Sequence, residues 1–423
     1  MMSHSAASKR VVVIGGGIIG ASVAYYAARR GHRVTVLERQ PRERGGCSFG
    51  NAGMIVPSHF VPLAAPGMVA FGLKWMWNPE SPFYVKPRFD LELLDWGWKF
   101  WRSATAAHVR RSAPLLRDLS LASRAAFEEL AALPEVDFGL KQRGLLMLCK
   151  TAHGLDEEGR MAEKARALGI PAEVLSPEET ARLDPGVRLD IAGAVYFPKD
   201  CHLAPARLIA ALEQESARLG VEFSWNTDVH GFVSEGPRLR AVRTSRGEIP
   251  ADDVVICAGA WSSAFARALD LRLPMQAGKG YSLTVPKPRQ LPELCSICTE
   301  ARIAVTPIGN SLRFGGTMEI AGLNEEITPR RVRGIIRSVP KYFPEFQTSD
   351  FDGVEPWRGL RPCSPDGLPY LGRTTRFSNL LLATGHGMMG VSLAPITGQL
   401  AAQLLSGETP AIDISALSPD RWR

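Results

Sequence analysis

Four apolar residues, Val11 to Ile14, stand unbroken between Arg10 and Gly15. An apolar run of strand length with no polar alternation reads as a strand buried on both faces, as in a parallel sheet. A helical period follows from about Gly17 to Arg30, Gly31 takes the C-cap position, and residues 33–38 supply a second strand. The first forty residues therefore predict one βαβ unit. Residues 93–133 read as helices, 143–150 as a strand, 155–170 and 176–183 as surface helices, and 192–198 as another strand. Residues 203–220 form a well-patterned amphipathic helix, with Leu208, Leu212 and Leu219 on one face and Gly220 as the stop. A strand pair is expected at 221–229 and 238–249, then the apolar strand 253–262. Between about Leu273 and Asp352 the pattern shifts to short strands and turns with one helix at 328–343, and the last seventy residues return to α/β character, ending in the helix 391–407.

This alternation predicts an α/β protein. A Rossmann-like dinucleotide-binding domain is assembled from three separated segments, 9–57, 201–262 and 354–423. An inserted α+β substrate domain, 58–200 and 263–353, contains a mainly antiparallel sheet. With 423 residues the chain has room for two domains, and its 45% hydrophobic and 22% charged content is that of a globular body. The net charge of +7 favours anionic surroundings, but no dense basic run interleaves with aromatics, so nucleic acid is not an expected partner.

The seven cysteines, odd in number and set in apolar stretches, read as free thiols in a reducing compartment. Cys295 and Cys298 have metal or redox spacing but no second pair at zinc-site distance, so no metal site is expected. The short polar N-terminus leaves no room for a secretory apolar region, and a cytoplasmic protein is expected. Residues 61–77 are apolar but broken by Pro62, Pro66 and two glycines and carry Lys74, which excludes a spanning helix. They read as a cover over the core or as a contact with the inner face of the cell membrane.

Gly15, Gly17 and Gly20 form GxGxxG directly after a strand and at the opening of a helix whose first residues are Ile18 and Ile19. Glu38, followed by Arg39, ends the next strand. Glycines permit the tight turn and close approach to a pyrophosphate, the helix N-terminus offers unpaired N–H groups to it, and the acid can accept from a ribose 2′-hydroxyl. An acid there disfavours a 2′-phosphate, leaving FAD or NAD. Two later features favour FAD: a second buried strand ending in Ala258 and Gly259, and a C-terminal strand, glycine-rich turn and helix around Gly385 to Gly390. A helix N-terminus at that place suits the negative charge of a reduced flavin.

Several stretches together resemble the FAD-dependent D-amino-acid oxidase and dehydrogenase superfamily, which also holds glycine oxidase and sarcosine oxidase. They are the GxGxxG unit, 47–59, 253–262, 279–284, 357–372 and 384–399, and "SFGNAG" at 48–53 with the following apolar segment looks most like its bacterial D-amino-acid dehydrogenase branch. The resemblance implies non-covalent FAD, since no cysteine stands where covalently flavinylated sarcosine oxidases carry one. It implies hydride transfer from an amino acid's α-carbon to flavin N5, giving an imino acid and then a 2-oxo acid, with a D-amino acid, cyclic ones such as D-proline included, as substrate. By position it puts Ser48, Asn51, Ala52 and Gly53 beside the isoalloxazine and Val229 at the adenine. Gly385, Gly387, Met388, Met389 and Gly390 fall at the pyrimidine edge, and Arg361 at the substrate carboxylate. The sequence departs from the oxidases near 299–309, which offers Arg302 and no tyrosine; Tyr281, His386 and His59 are the remaining pocket candidates. A quinone or dioxygen is the expected electron acceptor. The alternatives are an oxidase or dehydrogenase of glycine, sarcosine, an opine or another N-substituted amino acid, an FAD-binding electron-relay subunit of a hetero-oligomer, and an NAD-dependent reductase.

Overall fold

The computed structural model describes residues 8–75 and 81–423, with the side chains of 71 and 73–75 outside that description. Among these residues the first βαβ unit forms as expected: strand Arg10–Ile14, helix Ile18–Arg29 and strand Arg33–Leu37, with Gly31 at φ +83° closing the helix. The two strands are the centre of a six-stranded sheet, ordered Tyr370–Arg373, Leu380–Thr384, Asp253–Ile256, Arg10–Ile14, Arg33–Leu37, Glu222–Ser224. All neighbours in it are parallel except the first pair. Val11, Val13, Val34, Val36 and Val255 are covered on one face by helix Ile18–Arg29 and helix Ala394–Leu405. Those helices touch closely because position 398 is glycine: a Cβ there would lie 2.6 Å from the Ser22 carbonyl oxygen.

The second sheet has nine strands and is mainly antiparallel. Its order is Trp357–Cys363, Gln276–Val285, Ser311–Ile320, Ile303–Ile308, Cys295–Cys298, Leu145–Cys149, Gly193–Phe197, Glu173–Leu175, with Phe83–Val85 paired to Ser311–Ile320. One face carries an aromatic core in which Phe314 meets Phe343, Phe346 and Phe351 edge-on.

Four expectations change. Strand Trp357–Cys363 belongs to the second sheet, paired with Gln276–Val285, so the third dinucleotide-domain segment begins beyond Cys363 and not at 354. Helix Ala106–Ala131 lies in the stretch assigned to the substrate domain, yet its Leu116, Leu119, Phe127 and Leu130 are buried in the dinucleotide-domain core. The strand pair at 221–249 is four short strands: Glu222–Ser224 joins the six-stranded sheet, and turns at Gly236 and Gly247 fold the rest into a three-stranded antiparallel sheet. Leu219 lies exposed just past the last residue of helix Pro205–Arg218, while Leu208 and Leu212 are buried as predicted. Cys295 and Cys298 are buried free thiols on one strand. No helix of the described residues is long and apolar enough to cross a membrane. In the apolar segment 61–77, Trp77 and the side chain of Trp75 lie outside the described residues.

Candidate active site

The carboxyl ends of the parallel strands open into a cavity of about 430 Å³, the usual ligand position in such sheets. Gly15 turns there at φ +105°, and a Cβ on it would lie 2.6 Å from the Cys257 carbonyl oxygen. Gly17, Ile18 and Ile19 line the cavity at the N-terminus of helix Ile18–Arg29, which has no side-chain cap. Gly20 does not line it; a Cβ there would lie 1.9 Å from the Gly15 carbonyl oxygen, so this glycine lets the helix seat on the turn. Glu38 accepts from the backbone N–H of Gly16 at 2.8 Å and of Gln40 at 2.9 Å. Each carboxylate oxygen retains a second lone pair for a ligand hydroxyl.

Arg39 stacks 4.1 Å from the Trp261 ring, and Val229, Ala258 and Gly259 complete this end of the cavity. Arg44 also lines it, buried between the Phe49 and Trp225 rings and donating to Glu213 and to the Gly16 carbonyl. Arg44 has no motif; only folding brings Glu213 and Trp225 to it.

At the opposite end the turn after strand Leu380–Thr384 contributes His386, Gly387 and Gly390. His386 Nε2 lies 3.0 Å from Thr397 Oγ1, burial pushes its pKa down to about 3, and its buried Nδ1 has no hydrogen-bond partner. It is therefore a neutral imidazole in the cavity wall. Three residues expected here stand elsewhere: Gly385 packs against Tyr370 at φ +78°, Met388 is exposed, and Met389 turns into the apolar core.

Between the ends runs the loop 45–51. Cys47, Ser48 and Asn51 line the cavity, and Ser48 Oγ accepts from the Ile18 N–H at 3.3 Å. Gly53, at φ +75°, sits against the Leu203 carbonyl and Ala52 against an apolar cluster, both behind the wall. The loop's carbonyls are held by side chains of the second sheet. Arg313 Nη1 donates to the carbonyls of Phe49 (3.1 Å) and Asn51 (2.7 Å), Ser282 Oγ to Gly50 (3.0 Å) and Trp357 Nε1 to Gly45 (3.3 Å). The Trp357 ring fills a slot that Gly50 and Gly359 leave open, since a Cβ on either would lie 2.0 or 2.2 Å from it. Burial lowers the Arg313 guanidinium to about 10.

Arg361 lies on the same sheet face as Trp357, along the glycine shelf of Gly278 and Gly280. It does not line the cavity itself but stands within electrostatic reach of Cys47, which does. Its Nη1 donates to the Thr317 carbonyl at 2.6 Å, and no carboxylate of the described residues pairs with it. Burial lowers its pKa. Thr317 is β-branched yet held at φ +69°, a conformation that costs about 1–3 kcal/mol and collects at functional sites.

Two further pocket candidates do not line the cavity either. Tyr281 alternates onto the opposite sheet face from Gly280, where its hydroxyl donates to Glu319 Oε2 at 2.6 Å inside the aromatic core. His59 lies outside the lining, its Nδ1 3.0 Å from Ser58 Oγ, which donates to the buried Asp200. Burial and the neighbouring Arg302 push His59 down to about 4. Arg358, by contrast, lines the cavity and pairs with Glu325.

A glycine cradle at a helix start, an acid after the second strand and a neutral histidine with an orphan nitrogen together fit FAD. Fold and site thus define a dinucleotide-binding flavoprotein oxidoreductase. The chain belongs to the FAD dependent oxidoreductase family DAO, whose family model matches residues 10–404. It is 34% identical over 422 residues to a D-amino acid dehydrogenase of Bradyrhizobium diazoefficiens, covering 98% of this chain and 99% of the relative. It is 33% identical over 423 residues to one of Granulibacter bethesdensis, covering 98% and 99%. The crystal structure of glycine oxidase from Geobacillus kaustophilus superposes with a TM-score of 0.77 at 26% identity, over 98% of this chain and all of that one.

Proposed function

We propose that this chain oxidises the C–N bond of a D-amino acid to an imino acid, which water hydrolyses to the 2-oxo acid, and passes the electrons to a quinone or to dioxygen. The observation that carries the reading is Arg361: a half-buried guanidinium with one fixed hydrogen bond and no carboxylate partner among the described residues. A cation partly withdrawn from water without a counter-ion is costly, and a substrate carboxylate would supply the missing charge through two parallel hydrogen bonds. The Thr317 carbonyl holds one arm of the fork and so orients the other. Bound FAD supplies the two-electron acceptor; the chain's own residues hold and orient the substrate and keep His386 neutral beside the cofactor. The likeness to D-amino acid dehydrogenases over nearly full length supports the choice of substrate class.

Anaerobic bleaching of the yellow protein by D- but not L-amino acids tests the reading, and comparing oxygen with an artificial acceptor separates an oxidase from a dehydrogenase. Arg361→Leu should raise KM at least tenfold with FAD retained, since a charge-assisted contact contributes about 1.5–3 kcal/mol. Loss of FAD with unchanged KM in the residual holoenzyme sinks the role of Arg361.

A further inference from the structure

Among the described residues the cavity lining holds three arginines and three acids: Arg39, Arg44 and Arg358 against Glu38, Asp228 and Glu325. A dinucleotide's diphosphate is doubly anionic, and the N–H groups of a helix start offset only part of that charge. Two of the arginines are engaged. Arg39 stacks on the Trp261 ring, and Arg44 donates to Glu213 and to the carbonyls of Gly16 and Arg42. Arg358 is held differently. Its Nε donates to the main-chain carbonyl of Glu325 at 2.8 Å, and its Nη2 lies 3.2 Å from Glu325 Oε1, with the two side chains 31% and 42% exposed. An ion pair this open to water contributes little, so a stronger anion can take the guanidinium from it.

Position in the fold selects the anion. Arg358 and Arg361 stand on one strand, Trp357–Cys363, but an odd number of residues apart, so their side chains leave it on opposite faces. Leu360, on the same face as Arg358, is buried with Ala260 against Trp261, the end of the cavity where Arg39 follows Glu38. Arg358 therefore belongs to the adenosine and diphosphate half of a dinucleotide, and Arg361 is left to a substrate carboxylate. The loop 321–328, which carries Glu325, is anchored separately from beneath. Buried Lys279 donates through Nζ to the Glu326 carbonyl at 2.7 Å and to Asn324 Oδ1 at 3.4 Å, and the Thr328 N–H donates to the Tyr281 hydroxyl at 3.2 Å. The Glu325 carboxylate can thus leave Arg358 while the loop stays in place and the Glu325 carbonyl keeps the guanidinium aimed.

We propose that Arg358 binds the diphosphate of FAD and that Glu325 is an internal anion competing for the same guanidinium, which sets how tightly FAD is held. The exchange is one of ionic partners alone, and the guanidinium stays charged throughout. Removing Arg358 deletes a charge-assisted contact, whereas neutralising Glu325 frees that contact for the cofactor, so the two substitutions change FAD affinity in opposite directions. An ion pair that only tied the loop to the strand would make both changes act in the same direction. The inference rests on the FAD site and not on the reaction proposed above.

The test dilutes the holoenzymes of wild type, Arg358→Gln, Glu325→Gln and the double variant and follows the fluorescence of released flavin. Arg358→Gln should raise the dissociation constant of FAD at least about tenfold and flatten its salt dependence. Glu325→Gln, which keeps the carbonyl contact, should lower it about threefold. The double variant should match Arg358→Gln, because Glu325 acts only through Arg358. Should Arg358→Gln fail to fold, Arg358→Lys, which keeps the charge and loses the fork, should weaken FAD by a smaller factor and preserve the salt dependence. ADP and riboflavin as competitors locate the contact: Arg358→Gln should weaken ADP about tenfold and leave riboflavin, which has no phosphate, unchanged. A dissociation constant for Arg358→Gln within about twofold of wild type overturns the proposal. So does a Glu325→Gln variant that loses FAD as Arg358→Gln does, which makes the pair a tie for loop 321–328, or a loss shared equally by ADP and riboflavin. FAD binding in the expected pattern without bleaching by any D-amino acid removes the proposed reaction and leaves the role of Arg358 standing.

Discussion

Replacing Arg313 by leucine should weaken FAD binding although Arg313 belongs to the second sheet and does not line the cavity. Its Nη1 holds the carbonyls of Phe49 and Asn51, and its Nε donates to Thr284 Oγ1 at 3.0 Å, which fixes the guanidinium plane. Hydrogen bonds from a charged donor contribute about 1.5–3 kcal/mol each, so the two loop contacts could reach roughly 3–6 kcal/mol. Arg313 is only half-buried, however, and water can reoccupy part of what it leaves, so about 2 kcal/mol reaching the cofactor is the working figure. That is about a 30-fold rise in the dissociation constant. Apoprotein titrated with FAD, read by quenching of flavin fluorescence, measures it. Arg313→Lys, which keeps one donor for one carbonyl, should fall between. A dissociation constant within about twofold of wild type, with only the apoprotein's melting temperature lowered, would refute the reasoning. It would mean that the clamp ties the sheet to the loop without setting the loop's cofactor-binding shape.

Gly15→Ala should yield colourless protein, because the position needs φ +105° and the added Cβ would lie 2.6 Å from the Cys257 carbonyl oxygen; absorbance of the purified chain decides it. Gly280→Ala puts a methyl 2.2 Å from the Arg361 guanidinium and should raise KM about tenfold with FAD retained; steady-state kinetics beside flavin absorbance checks this, and an unchanged KM counts against Arg361. Asp200, pushed up to about 7 by burial, binds a proton in the folded state that it lacks when unfolded, so its contribution to stability is full below about pH 4 and is lost as pH rises through 7. Urea unfolding should therefore show Asp200→Asn lacking a decline of roughly 3–4 kcal/mol between pH 4 and 8 that wild type carries; parallel pH profiles would count against a protonated Asp200.

The dinucleotide half of the site was legible because its chemistry is local: the glycines, the helix start and the acid lie within thirty residues, and each needs its residue type for a backbone reason. The clamp on loop 45–51 was not, since its acceptors are main-chain carbonyls that any sequence supplies, reached from 232 to 312 residues away. Tyr281 misled for a different reason. In a strand the face alternates with each residue, so Gly280, which opens space for Arg361, is followed by a Tyr281 that points into the aromatic core on the other face. Helix Leu91–Ser103 carries apolar residues at helical spacing on two faces, and a period alone cannot say that the core covers Trp96 and leaves Trp98 exposed.

The proposed cofactor and substrate sites meet on one strand. Ser311–Ile320 carries Arg313, which holds loop 45–51, and four residues on Thr317, whose carbonyl holds Arg361. Both residues' geometry depends on the strand's irregular pairing with Gln276–Val285, which slips between Lys279 and Tyr281 beside the strained Thr317. An anion engaging Arg361 therefore bears on the strand that shapes the loop, and any coupling of this kind must be reciprocal: a carboxylate that tightens FAD binding is itself bound more tightly when FAD is present. A small non-oxidisable carboxylate should thus lower the dissociation constant for FAD in wild type and fail to do so in both Arg361→Leu and Arg313→Leu. If the anion effect disappears in Arg361→Leu but survives intact in Arg313→Leu, the two sites communicate by a route other than this strand.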